Sequence, residues 1–160
     1  MKNKNIITIG LGLIMLMPFG SMAQSSCDVI IPSGQYLVDG EQLNLIAGNT
    51  VCLPTRQRGP LRIKYVVGSH QAPFIITNES EPVITTPFEY SIAIENSSYV
   101  NLIGRSALEH SPYSIQLGGT LSIGQLSHHI HVENIEVYRA RFAGMLIKTD
   151  PTCDPATWRE

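Results

Sequence analysis

A short pattern returns three times in this chain: Tyr90-Ser91-Ile92-Ala93-Ile94, Tyr113-Ser114-Ile115-Gln116-Leu117 and Phe142-Ala143-Gly144-Met145-Leu146-Ile147. Each copy alternates aliphatic with other residues, and stretches rich in Gly, Asn, Ser and Pro separate them. Further period-two runs occur at Val51-Leu53, Leu61-Ile63, Phe74-Ile76, Val100-Leu102, Ile130-Val132 and Ile135-Val137. Runs this short, broken by turn residues, are strands, and no 3.6-residue stripe follows Gln24. Recurrent strands without intervening helices predict a coil that stacks on itself.

The register expected from this pattern takes Val51, Phe74, Ile92, Ile115 and Met145 as the first strand residue of successive coils, 23, 18, 23 and 30 residues apart. Inward rows would then be Phe74, Ile92, Ile115, Met145 and Ile76, Ile94, Leu117, Ile147. Outward positions would be Ala93 and Glu95, Gln116 and Gly118, Leu146 and Lys148. Asn78-Glu79-Ser80 and Asn96-Ser97-Ser98 follow their strands at the same offset. Asn tolerates left-handed backbone and suits a sharp corner, so the two triplets are expected to stack as a ladder of corners. They also match the N-glycosylation sequon.

The N-terminus reads as a leader. Lys2 and Lys4 precede an apolar run from Ile6 to Phe19, and Ser21-Met22-Ala23 places small residues where a signal peptidase acts, before Gln24. The run is short for a transmembrane helix. The expected organisation is therefore a signal peptide at 1–23, an N-terminal capping segment at 24–50, coils at 51–149, and a tail at 150–160 leading into a missing region. On this reading the last coil lacks a cap, and the 160-residue chain alone is expected to be oligomeric or poorly soluble. Export favours paired thiols. Cys27 and Cys52 flank strand-like and turn-like pieces and are expected to form a disulfide, leaving Cys153 over near the C-terminus.

Charged residues make up only 15% of the chain, against a usual quarter or so, and the formal net charge is -2. There is no Lys/Arg cluster of the kind that tracks a phosphate backbone, which argues against a nucleic acid partner.

The segments Ser91 to Gly104, Ser127 to Val137 and Gly144 to Thr149 resemble the strand, corner, strand units of right-handed parallel β-helix proteins of the pectin-lyase-like superfamily, in particular secreted bacterial members. The similarity spans about Val51 to Thr149. It implies an all-β right-handed parallel β-helix, truncated at its C-terminus, and a polysaccharide or surface glycan as partner. It leaves open whether the chain processes the glycan, as a lyase or hydrolase, or is a non-catalytic scaffold or adhesin.

Three groups of residues are candidates for a site. His129 and His131 lie two apart on an expected strand and would share a face, with Glu133 continuing the row. Paired imidazoles suit zinc or copper; the alternative is an outward polar row beside an inward Ile130 and Val132. Arg139, Arg141, Lys148 and Asp150 form a mixed group near the C-terminus. Lyases of the resembled fold pair a basic proton acceptor with a calcium site built from acidic residues, which makes Lys148, Arg139 and Arg141 catalytic candidates. No cluster of Asp residues accompanies them, and calcium enters through the resemblance alone; the residues themselves point to no cofactor. Glu95, Glu133 and Glu136 are the acids available for glycoside hydrolysis, though nothing pairs two of them. Finally, Tyr36, Tyr65, Tyr90, Tyr99, Tyr113 and Tyr138 could pack on sugar rings, with Tyr90 and Tyr113 at equivalent coil positions.

Overall fold

The computed structural model describes residues 27–54, 56–79, 83–85, 90–105 and 113–148. The expected leader, Asp150, Cys153 and the 150–160 tail lie outside them. Among the described residues there are fourteen strands and no helix, hence none long and apolar enough to cross a membrane. The chain winds as a parallel β-solenoid of about four turns, with three sheets around one interior.

One sheet, A, stacks β1 (Val29–Ile30), β3 (Thr50–Leu53), β6 (Phe74–Asn78), β9 (Ser98–Ile103) and β12 (His128–Glu133). Sheet B stacks β2 (Leu37–Asp39), β5 (Leu61–Lys64), β8 (Tyr90–Glu95), β11 (Thr120–Gly124) and β14 (Met145–Ile147). Sheet C stacks β4 (Arg56–Arg58), β7 (Val83–Thr85), β10 (Ile115–Leu117) and β13 (Ile135–Val137). Every described pairing is parallel, so each coil lays its strands directly on those of the coil before. The first strands lie before Val51, at Val29 and Leu37, each paired with the following coil.

The inward rows hold the solenoid together. In sheet A, Val51, Ile76 and Leu102 stack in register, as do Phe74 and Val100. In sheet B the rows are Leu61, Ile92, Leu121 and Val38, Ile63, Ile94, Ile123. Sheet C contributes Val83, Ile115 and Leu117. Nearly all are withdrawn from water, and burying one such side chain stabilises by roughly 1.5 to 3 kcal/mol.

These registers correct the expected ones. Phe74, Ile92, Ile115 and Met145 do not form one row: they lie on sheets A, B, C and B. The first and third copies of the recurring pattern face sheet B, and the second faces sheet C. Tyr90 and Tyr113 are accordingly not equivalent, and Gln116 belongs to sheet C, where its amide donates to Glu136 at 2.9 Å. The physical reason is that three faces use the same alternation, so periodicity marks strands without telling which face each one occupies.

The corners decide the faces. Between sheets B and A, Tyr65, Asn96 and Gln125 each adopt positive φ in successive coils, at 54°, 48° and 50°. The Asn96 amide group donates to Gln125 Oε1 at 3.1 Å, and its main-chain N–H to Gln125 O at 2.8 Å. Asn96 thus stacks with Gln125, whereas Asn78 lies at the end of sheet A, in a different corner, so the expected Asn ladder does not form. Three glycines answer left-handed residues one coil later. Gly40, Gly68 and Gly104 lie against the main-chain carbonyls of Tyr65, Tyr99 and Asn134, where a Cβ would overlap the oxygen.

Cys27, just before β1, and Cys52 in β3 are joined as expected, with Cα atoms 5.6 Å apart. Polar groups also enter the interior between sheets C and B. Thr85, fully buried, donates its hydroxyl to Ser91 Oγ at 2.7 Å and accepts from the Gly118 N–H at 2.9 Å. Arg58 is buried there too, its Nη2 donating to Gln35 O at 2.6 Å, and desolvation holds its guanidinium below the ordinary arginine value.

Candidate functional site

The outer face of sheet A carries a cleft of about 410 Å³, lined by Ser69, His70, Pro73, Tyr99, Asn101, His129 and His131. One wall is the turn before β6, closed when the Ser69 N–H donates to Ala72 O and the Ala72 N–H to Ser69 Oγ, both at 3.0 Å. The opposite wall comes from β9 and β12. There Tyr99 and His129 interrupt the regular ladder: Ser98 pairs with His128 and Val100 with Ile130, while the two residues between adopt φ of 51° and 53°. Left-handed backbone costs a non-glycine residue about 1 to 2 kcal/mol, and here two successive coils accept that cost at one place. The result is that the two rings stack, with centroids 4.3 Å apart and planes within 18°.

His128 stands edge-on to both rings, at 5.9 Å from Tyr99 and 5.0 Å from His129. Its Nδ1 lies 2.7 Å from Nδ1 of His129, within hydrogen-bond distance, the tautomers deciding which ring donates. His131 instead approaches Glu133, with Nε2 3.1 Å from Oε2, both side chains being more than half exposed.

His129 and His131 therefore line one cleft, two apart on β12 with Ile130 turned toward the core between them, and each is engaged by a different neighbour. Among the described residues no three His, Cys, Asp or Glu side chains converge as metal ligands. His70 enters the cleft from a turn far away in sequence, and no local signal in the chain marks it for that place.

The other candidates lie elsewhere. Glu95 sits on the outer face of sheet B between Arg62, at 3.4 Å, and Lys64, at 3.1 Å. Arg62 also covers the Tyr90 ring at 5.4 Å. Lys148 follows β14 in the same outward row as Glu95, with Gly124 between them, so the two are two rungs or roughly 10 Å apart. Arg139, at positive φ, places its guanidinium 5.8 Å from the Tyr138 ring, and Arg141 is exposed in the same connection. Glu136 is taken by Gln116 on sheet C. The structure does not draw these groups into one site.

Fold and cleft together define a parallel β-solenoid with an aromatic and imidazole cleft on one outer face. No protein-family model, no curated protein and no solved structure matches the chain.

Proposed function

We propose that this chain is an exported glycan-binding β-helix of the right-handed, pectin-lyase-like kind, with the cleft on the outer face of sheet A as its binding site. The observation that carries the reading is the Tyr99 and His129 ring stack, held by left-handed backbone beside an open cleft. Two rings stacked in one column beside a cleft offer a flat aromatic face for a ligand to pack on. Sugar rings offer C–H faces to such rings, and Asn101, Ser69 and the imidazoles supply the hydrogen bonds that hydroxyl groups require. The right-handed sense follows the strong preference of parallel crossover connections. The apolar run after Lys2 and Lys4 supports export, and the Cys27–Cys52 disulfide suits an oxidising compartment.

The binding reading is favoured over a catalytic one because Glu95, Lys148, Arg139 and Arg141 do not converge, and because Glu95 is held by two cations. The experiment is a panel of immobilised polysaccharides probed with the folded chain, its Tyr99→Ala variant and its His129→Ala variant, with the supernatant assayed for released or unsaturated sugar. Retention on at least one glycan, weakened about tenfold in each variant, is expected, which corresponds to about 1.4 kcal/mol. Retention untouched by both substitutions, or none on any glycan, would sink the proposal. Released product would make the chain an enzyme.

A further inference from the structure

The cleft on sheet A does not end at Tyr99. Two further depressions follow the corner between sheets B and A, one beside Tyr65 and Val67 and one beside Leu126 and His128, and they share Val67 and Asn96. His128 in turn stands edge-on to Tyr99, so the corner and the sheet A cleft meet at that contact. Tyr65 and Val67 in one coil and Leu126 two coils later are 42%, 62% and 64% exposed, apolar surface on either side of the Asn96 corner. Rungs repeat about every 4.8 Å, close to the length of one sugar residue in an extended chain.

The lining has a second property. Among the described residues no Lys or Arg borders any of the three depressions, and Glu41 is the one described lining residue of fixed charge. Glu133 lies next to the cleft through its contact with His131. On the outer face of sheet B, the partly exposed Arg62 and Lys64 are both held by Glu95. A uronic acid chain entering this track would lose hydration without meeting a cation, and would approach carboxylates instead.

We infer that the three depressions form one continuous track for an uncharged polysaccharide chain of several sugar units, and that acidic polysaccharides are excluded from it. This rests on the carbohydrate reading above and narrows its substrate class. Tyr65 and Val67 on one side of the Asn96 corner and Leu126 on the other take sugar faces, and the amides of Asn44, Asn96 and Asn101 take hydroxyl groups.

Calorimetric titration of the full chain at about pH 8, where imidazole as a class is mostly neutral, tests the inference. The probes are neutral di- and hexasaccharides of glucan, xylan and mannan type, set against galacturonate oligomers of the same lengths. A neutral hexasaccharide should bind at least about tenfold more tightly than its disaccharide and than any galacturonate oligomer, with little dependence on salt. Leu126→Ser and Val67→Ser, both at exposed positions, should each weaken the hexasaccharide severalfold and leave the melting temperature unchanged. Tighter, salt-sensitive binding of galacturonate would overturn the inference while leaving the carbohydrate reading standing. Hexasaccharide affinity equal to that of the disaccharide, or unmoved by both corner variants, would overturn the continuous track. No binding of any probe would overturn both.

Discussion

Asn78, buried at the end of β6, grips the main chain of Arg105 one coil later with both ends of its amide. Its Nδ2 donates to Arg105 O and its Oδ1 accepts from the Arg105 N–H, each at 2.7 Å. A side chain here does what a strand does elsewhere, continuing the parallel ladder into a corner where regular pairing has stopped. Asn78→Ala leaves both Arg105 groups without these partners, and a loss of about 2 to 4 kcal/mol is expected in urea unfolding. A loss below about 0.5 kcal/mol would mean that water replaces the amide at no cost.

Thr85 makes a similar bridge inside the solenoid, between Ser91 and the Gly118 N–H. Thr85→Val keeps the shape and removes the hydroxyl. Because the site is fully buried, the variant should unfold with about 1 to 3 kcal/mol less stability, measured from the denaturation midpoint. An unchanged midpoint would show that the bridge contributes nothing net.

The glycine beneath each left-handed carbonyl predicts a sharp contrast. In Gly104→Ala the new methyl overlaps Asn134 O, and relieving it strains the Gly104 N–H bond to Glu133 O, now 2.9 Å. A cost of at least about 2 kcal/mol is expected. Gly34→Ala has open space around its Cβ and should be neutral or slightly stabilising, by up to about 1 kcal/mol. Equal effects at the two positions would contradict the close-approach account.

The Cys27–Cys52 bond closes a 25-residue separation and ties the first coil to the second. In the chain-entropy model a loop of this size stabilises by roughly 3 to 4 kcal/mol. The double variant Cys27→Ser, Cys52→Ser should melt several degrees lower than the oxidised protein, and adding reductant to the variant should change nothing further.

Glu95→Gln separates a structural from a functional role for the sheet B face. The two ion pairs are partly exposed, so the expected cost is under about 1 kcal/mol, with glycan retention at the sheet A cleft unaltered. Loss of retention with the fold intact would move the site to sheet B.

Much of this architecture was legible in the chain. The alternation at Leu61-Ile63, Ile92-Ile94 and Ile115-Leu117 marks strands because a residue pair two apart must share a side of a pleated backbone. Recurrence of such strands marks a coil stacking on itself, the resemblance adds the parallel β-helix, the expected export makes Cys27 and Cys52 partners, and Ser127-His128-His129-Ile130-His131 stands out as a cluster of imidazoles. The expected stacking rows did not hold, since alternation is identical on all three faces.

What the chain determines by itself is local: where strands run, where turns interrupt them, and which side chains seek the interior. What only the tertiary structure decides is which coil lies on which. That choice depends on corners whose left-handed residues include Tyr65, Tyr99 and Gln125, types with no intrinsic preference for that backbone, so no propensity announces them. Stacking against the neighbouring coil holds them there. It is the same stacking that brings His70 across from a distant turn to the Tyr99 and His129 rings.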